Sequence, residues 1–264
     1  MKGAIIGDIA GSAYEWKPVD MAAFSLFGGK CWMTDDTVLT VAVADALLTC
    51  RTDGITVEDD ILDAIRQNIR RWGRLYPDCG FSRSFRAWLE SDDPQPYGSR
   101  TNGALMRCSA AGWMTDNPQE ARRLGELTAL PSHNHPEATA AAGLCAELIC
   151  RSRGGASKDE LYALVSASYP IPRLDDIRPI TAFDFTCVTT MPIAFAAFYE
   201  STSVEDAVCR AISLSGDTDT NAAIAGALAE AYYGLPDALW QRAKPFCSDE
   251  VLSVVARWEQ AFPR

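Results

Sequence analysis

Two stretches of the chain are apolar on nearly every side of a helix, and each begins with paired carboxylates. One follows Thr34-Asp35-Asp36-Thr37, and the other follows Gly216-Asp217-Thr218-Asp219-Thr220. A helix that is hydrophobic all round has to lie in the interior, so it needs other elements on all its sides. We therefore expect a sizeable helical domain in which both acidic motifs lie in or beside the core.

Helical patterning also dominates the rest of the 264 residues. Apolar residues three and four positions apart predict helices over residues 38–48, 61–72, 138–149, 161–167, 193–199 and 222–233. Glycines after such runs predict helix ends at Gly54, Gly80, Gly154, Gly155 and Gly234. The best strand-like segment is short, Val188-Thr189-Thr190. We predict an all-α fold, a single compact orthogonal bundle of roughly ten or more helices, with residues 1–264 as one domain.

The first segment carries glycine at every fourth position, Gly3, Gly7 and Gly11. A dinucleotide-binding turn needs the spacing G-x-G-x-x-G after a strand, and that spacing is absent. We interpret these glycines as a smooth helix face that packs closely against a neighbour.

Composition narrows the choice of partners. The chain has 24 Lys and Arg against 35 Asp and Glu, a net charge of -11, which disfavours nucleic acid and anionic membranes. A small ligand that carries phosphate is compatible with this negative charge if metal ions or helix N-termini supply a positive field at its site. No apolar stretch is long enough to span a membrane, and no signal-peptide pattern is present. Nine scattered cysteines without a C-x-x-C motif predict free thiols and a cytoplasmic location.

The paired carboxylates have two interpretations. Asp and Thr favour helix N-termini, where they accept backbone N–H groups. However, each motif supplies two carboxylates beside a buried helix, and such a cluster is costly unless cations neutralise it. Mg²⁺, Mn²⁺ or Ca²⁺ would suit the Asp, Glu and Thr oxygens. On the residues alone, capping and metal binding both stay open.

Other motifs are weaker. His133 and His135 are the only histidines and share one tetrapeptide, which, with dispersed cysteines, disfavours zinc. No G-x-S-x-G elbow supports a serine hydrolase. The segments Tyr97-Gly98 and 101–107 form a glycine-containing turn that either holds a phosphate with backbone N–H groups or is a plain turn.

Five segments in this order resemble the ADP-ribosylglycohydrolase family, which includes the dinitrogenase reductase-activating glycohydrolases. They are GAIIGDIAGSAYE (3–15), MTDDT (33–37), NGALMR (102–107), SHNHPEA (132–138) and SGDTDTNAAIAGALAEAYYG (215–234). The two Asp-Thr motifs together are specific, whereas each alone is weak. The sequence departs from the family pattern at Ser215, at Ser132 and in the loop 77–82.

The resemblance implies an enzyme that removes ADP-ribose by hydrolysing the N- or O-glycosidic bond of an ADP-ribosylated side chain or small molecule. It implies two Mg²⁺ ions, or Mn²⁺, in a cleft. One would be held by Thr34, Asp35, Asp36 and Asp219, and the other by Glu15, Asp217, Asp219 and Thr220. The predicted substrate contacts are Asn102, Gly103, Tyr97, Gly98, Met106, His133 and Asp78.

Glycosidic cleavage builds oxocarbenium-like charge at the anomeric carbon, and a metal ion can activate the attacking water. Asp36, Glu15 and Asp35 are the candidate catalytic acids or bases. The expected partner is ADP-ribose or an ADP-ribosylated substrate, and a monomer is favoured. Two alternatives are an inactive ADP-ribose- or nucleotide-binding protein and a hydrolase of a different ribosyl or phosphoryl substrate.

Overall fold

Helices make up most of the chain that the computed structural model describes, which is residues 1–15, 17, 19, 24–180 and 184–262. Within these ranges there are thirteen α-helices and three short 3₁₀ helices, and the β-pairing is one isolated bridge between Thr101 and Thr186. The predicted all-α class is confirmed. The α-helices are α1 Lys2–Ser12, α2 Asp35–Asp53, α3 Glu58–Leu75, α4 Arg83–Glu90, α5 Pro118–Ala129, α6 Pro136–Arg153, α7 Lys158–Ser166, α8 Leu174–Ile177, α9 Cys187–Tyr199, α10 Val204–Ser213, α11 Thr218–Tyr233, α12 Asp237–Ala243 and α13 Asp249–Ala261. The 3₁₀ helices are Asn102–Ala104, Cys108–Trp113 and Lys244–Phe246.

All six predicted helical segments fall in helices, namely α2, α3, α6, α7, α9 and α11. The predicted ends at Gly54, Gly154 and Gly234 are C-caps. The predicted end at Gly80 is wrong, because α3 already ends at Leu75.

The strand prediction at 188–190 is also wrong, since this segment forms the first turns of α9. Met191, Phe195 and Phe198 follow at helical spacing and are buried. Packing of that apolar face decides the conformation, and it overrides the β-propensity of valine and threonine.

The glycines of α1 pack directly against α11. A Cβ atom on Gly7 would lie 2.0 Å from the carbonyl oxygen of Ala222, and one on Gly3 would lie 2.2 Å from that of Gly226. The prediction of a close-packing face is therefore confirmed. The contact places Asp8 of α1 beside the N-terminus of α11.

Helices α2 and α11 lie in the hydrophobic core. Asp45, a buried carboxylate within α2, is neutralised by Arg71 and Arg257 and accepts a bond from the Trp72 indole at 3.1 Å. The nine cysteines are free thiols. Within the described ranges, none of the helices combines the length and apolar character that a membrane crossing requires.

Candidate active site

Asp8 holds the N-terminus of α2. Its carboxylate accepts the backbone N–H groups of Thr34 (2.9 Å) and Thr37 (3.1 Å) and the Thr34 hydroxyl (2.6 Å). The Thr34 hydroxyl oxygen in turn accepts the N–H of Asp36 at 3.2 Å and caps the helix. Burial raises the pKa of Asp8 to about 6. The capping interpretation therefore applies to Asp8 and Thr34.

Asp35 and Asp36 follow that cap, and their surroundings disfavour negative charge. Asp36 is buried, and its Oδ2 accepts the hydroxyl of Thr220 at 3.2 Å. Its Oδ1 is buried without a hydrogen-bond partner. Burial and the nearby charge of Asp8 raise the pKa of Asp35 to about 7, and burial with the neighbouring carboxylates raises the pKa of Asp36 well above its usual range.

The second acidic motif opens α11 next to the first. Asp217 accepts the side-chain amide of Asn102 at 2.6 Å. Asp219 is buried, and its Oδ1 accepts the N–H of Thr220 at 2.9 Å. Burial, then Asp217 and Asp36, raise the pKa of Asp219 well above its usual range.

The carboxylates form two groups whose oxygens lie within 4.8 Å of one another. One group is Asp8, Asp36 and Asp219, and the other is Glu15, Asp217 and Asp219. Asp219 belongs to both. Hard oxygen donors and the unpartnered oxygen of Asp36 suit divalent cations such as Mg²⁺ or Mn²⁺.

The groups differ in part from the predicted ligand sets. Glu15, Asp217 and Asp219 come together as predicted. The other group contains Asp36 and Asp219 of the predicted acids, includes Asp8 in addition and lacks Asp35. Since Asp8 already accepts three hydrogen bonds, its oxygens are largely used within the protein.

A cavity of about 350 Å³ opens beside the acids. Ten of the predicted residues line it, namely Glu15, Asp35, Asp36, Asn102, Gly103, Met106, His133, Asp217, Asp219 and Thr220. Thr34, Tyr97, Gly98 and Asp78 are outside its lining. Asp78 is exposed, Gly98 donates its N–H to Asn134 at 2.8 Å, and the Tyr97 ring lies 5.8 Å from the His133 ring.

Seven lining residues were not predicted as site residues from the sequence, namely Leu39, Gly80, Ser82, Phe85, Thr101, Arg107 and Phe185. Thr101 and Arg107 belong to the segment 101–107, and Gly80 and Ser82 belong to the loop 77–82, so a local signal was present for these four. Leu39, Phe85 and Phe185 are brought to the cavity by long-range packing.

Most backbone N–H groups of the turn before Arg107 already donate to carbonyl oxygens of the protein. Asn102 donates to the carbonyl oxygen of Phe185, and Leu105 and Met106 donate to that of Asn102. Ala104 donates to Thr101 at 3.4 Å. The geometry of these four groups is that of a plain turn rather than a phosphate cradle.

His133 is buried in the wall of this cavity. Its Nε2 lies 3.0 Å from the Thr101 hydroxyl, and its Nδ1 lies 2.8 Å from the Ser132 hydroxyl. Burial and the charge of Arg107 hold the pKa of His133 well below its usual range. The imidazole is therefore neutral at neutral pH.

A model of the ADP-ribosylglycohydrolase family matches residues 1–262. The chain is 27% identical over 216 residues to ADP-ribosyl-(dinitrogen reductase) glycohydrolase of Rhodospirillum rubrum, covering 78% of this chain and 70% of that protein. It is 26% identical over 269 residues to the ADP-ribosylarginine hydrolase Tri1 of Pseudomonas putida (strain GB-1), covering 88% and 69%.

A solved structure described as an ADP-ribosylglycohydrolase-related protein complex superposes with a TM-score of 0.71 at 25% identity, covering 97% of this chain and 92% of that one. The family match extends over nearly the whole chain and includes both acidic motifs. The chain therefore belongs to the ADP-ribosylglycohydrolase family, whose enzymes remove ADP-ribose from modified substrates.

Proposed function

We propose that this enzyme hydrolyses the N-glycosidic bond between ADP-ribose and an arginine side chain, with Mg²⁺ or Mn²⁺ at two sites that share Asp219. The main support for this proposal is that Asp219 belongs to both groups of carboxylate oxygens. The choice of arginine follows the relative that is named an ADP-ribosylarginine hydrolase.

The residues fit such cations. Asp36 and Asp219 would hold one ion, and Glu15, Asp217 and Thr220 would hold the other together with Asp219. When bound, the ions supply Lewis acidity that orients ribose hydroxyls and lowers the pKa of a bound water. Their charge would also offset the cost of gathering so many buried acids.

The chain's own residues have separate tasks in this scheme. Asp35 lines the cavity but lies outside both oxygen groups, so we assign to it the transfer of the water proton. Asn102 orients Asp217 through its amide, which also donates to the Thr190 hydroxyl at 3.2 Å. The cavity of about 350 Å³ is within the usual range for small-ligand sites.

The test is a hydrolysis assay on three substrates, ADP-ribosylated arginine, ADP-ribosylated serine and O-acetyl-ADP-ribose, each with Mg²⁺, Mn²⁺ or EDTA. We expect free ADP-ribose from the arginine conjugate, its loss in EDTA and its return with Mg²⁺ or Mn²⁺. Full activity in thoroughly demetallated protein would contradict the two-cation site. Release from serine or the acetyl ester alone would replace the arginine assignment.

We also propose that residues 1–264 form one domain, because the buried apolar residues of the described ranges make one continuous cluster.

A further inference from the structure

Arg107 is a fully buried cation in the cavity wall. Its Nε donates to the carbonyl oxygen of Thr128 (3.0 Å), and its Nη2 donates to that of Ala129 (3.2 Å) and to the Ser132 hydroxyl (3.0 Å). Burial lowers the pKa of Arg107 to about 10, so the guanidinium is charged at neutral pH. A guanidinium can only donate, and the Ser132 oxygen is therefore the acceptor in their bond.

Because Ser132 accepts from Arg107, the direction of its hydrogen bond to His133 is fixed as well. Its side chain is buried, and its Oγ lies 2.8 Å from His133 Nδ1. If Nδ1 carried a proton, the Ser132 oxygen would accept from two donors, and its own buried hydrogen would lack a partner among the described residues. An unmatched buried donor is costly, whereas a hydroxyl that donates to a bare Nδ1 satisfies all three groups.

With Nδ1 as the acceptor, a neutral imidazole carries its proton on Nε2. The Nε2 atom lies 3.0 Å from Thr101 Oγ1, to which it donates. A Cβ atom on Gly103 would lie 3.0 Å from Nε2, so this ring edge lies directly against the turn that lines the cavity.

We propose that Arg107 and Ser132 are positioning residues that hold His133 as the neutral Nε2–H tautomer, so that donors run in one direction from Arg107 through Ser132 and His133 to Thr101. The hydroxyl of Thr101 accepts from Nε2, and its oxygen also lies 3.0 Å from the Ser99 hydroxyl, which is placed to accept the Thr101 hydrogen. His133 is then a fixed donor rather than a general acid or base, since its Nδ1 lone pair is engaged by Ser132.

His133 and Thr101 both line the cavity, so the tautomer fixes which ring nitrogen of His133 carries hydrogen at this wall. The expected effect on ADP-ribose binding rests on the proposed function. The tautomer and its cause do not depend on the activity.

The tautomer can be read directly by NMR, because the chain has only two histidines. A long-range proton–nitrogen correlation spectrum of ¹⁵N-labelled protein at neutral pH separates protonated from bare ring nitrogens, and His135→Asn identifies the second imidazole. We expect His133 to show a bare Nδ1 and a protonated Nε2. A protonated Nδ1, or a charged ring, would overturn the proposal even if every variant failed to fold.

Ser132→Ala tests the cause. It removes the donor to Nδ1, so we expect the His133 nitrogen signals to move toward a mixture of tautomers and ADP-ribose to bind about five-fold more weakly. Ser132→Thr keeps the hydroxyl and should retain the wild-type spectrum and affinity. Ser109→Ala is the matched control, because Ser109 is buried and its hydroxyl has no partner among the described residues.

An unchanged His133 spectrum in folded Ser132→Ala would overturn the positioning role. If the wild-type chain does not bind ADP-ribose, the proposed function fails, but the spectra of wild type and Ser132→Ala still decide the tautomer.

Discussion

At the scale of single residues, acids of the same type within a few ångströms have different environments. Asp8 accepts three hydrogen bonds from the start of α2, and with Thr34 it explains the helix cap. Asp36 keeps one oxygen without a partner, and Asp219 joins both oxygen groups. The sequence left capping and cation binding open for the two Asp-Thr motifs, to which Thr34, Asp36 and Asp219 belong. We assign capping to the first pair and propose cation binding for the second.

We expect Asp219→Asn to abolish cation binding and turnover together. The amide replaces a hard, charged ligand. Without cations, the variant should be at least as stable as wild type, because the amide oxygen can still accept the Thr220 N–H and the substitution removes an acid whose ionisation is disfavoured by burial, Asp217 and Asp36. Thermal melts with and without Mg²⁺, beside a single-turnover assay, measure both effects. Mg²⁺ should raise the melting temperature of wild type clearly and that of the variant little.

Asp237→Asn is the control, since Asp237 is an exposed acid in the first turn of α12. It should keep the Mg²⁺-induced shift and normal turnover. If Asp219→Asn kept them too, Asp219 would return to the capping interpretation.

Ser215 carries a local strain of its backbone. Its φ is 65°, in the left-handed region, where a side chain costs about 1–2 kcal/mol. We expect Ser215→Gly to raise the free energy of unfolding by about 0.5 kcal/mol, since the loss of strain exceeds the added chain entropy and the lost hydrogen bond to the Lys17 carbonyl (3.0 Å).

Urea denaturation measures this change. Ser215→Ala keeps the strained backbone and loses the same hydrogen bond, so it should be less stable than wild type. Equal stabilities of the Gly and Ala variants would show that the left-handed φ carries no cost.

At the scale of elements, the contact between α1 and α11 builds the site. The glycine face lets the two backbones touch, which brings Asp8 and the start of α11 to one place. A side chain on that face would separate the helices and, with them, the two groups of carboxylates.

We expect Gly7→Ala to lower the free energy of unfolding by about 3 kcal/mol or more and to weaken Mg²⁺ binding. Its Cβ would lie 2.0 Å from the carbonyl oxygen of Ala222, and a backbone atom cannot move aside like a side chain. Urea denaturation and Mg²⁺ titration measure the two effects.

Gly154→Ala is the control. The φ of Gly154 is −77° and the atom nearest to an added Cβ would be 3.4 Å away, so the free energy of unfolding should change by no more than about 0.5 kcal/mol. Equal effects of the two substitutions would contradict the close packing.

Much of this architecture could be predicted because the signals were local. Helix periodicity identified α2, α3, α6, α7, α9 and α11, and glycine spacing predicted the α1 face. The two acidic motifs were found by their neighbours in sequence. Segment 188–190 was misassigned because local propensity did not reveal the burial of α9.

The rest depends on contacts between distant residues. Asp45 was a lone acid in the sequence, yet one of its partners is Arg257, 212 positions away. Arg107 was part of a recognised segment, but its task depends on Ser132, 25 positions later. Such pairings are set by tertiary packing, which residue spacing alone does not specify.

At the scale of the whole molecule, the chain has a net charge of -11, and part of its negative charge lies at one cavity. Five carboxylates line it, those of Glu15, Asp35, Asp36, Asp217 and Asp219. Among the described lining residues Arg107 is the only Lys or Arg, and it lies on the His133 side. The cavity therefore has an acidic end, where we propose cations, and an end where the buried Arg107 lies behind Ser132 and His133.

The same cavity should set how stability depends on pH in the cation-free protein. Burial raises the folded-state pKa of Asp35 from 3.8 to about 7, and it raises the pKa values of Asp36 and Asp219 well above their usual range. Above about pH 4 the unfolded chain has lost these protons, whereas the folded chain keeps them. The folded state therefore binds more protons, and the free energy of unfolding falls as pH rises through these folded-state pKa values.

His133 has the opposite effect below its unfolded pKa of 6.5, because its folded-state pKa is lowered and the unfolded chain then binds the extra proton. The pH range in which the carboxylates act without this opposing effect of His133 is therefore from about 6.5 to 8. In EDTA we expect urea denaturation in this range to show that the free energy of unfolding falls by about 1.4 kcal/mol per pH unit for each proton retained by the folded chain.

Mg²⁺ favours the ionised carboxylates, so it should stabilise the protein more at the upper end of this range and flatten the profile. Asp35→Asn removes one of the titrating acids and should reduce the slope in EDTA. A flat or rising profile in EDTA would mean that these carboxylates are ionised without cations, and it would remove the electrostatic reason for placing metal ions among them.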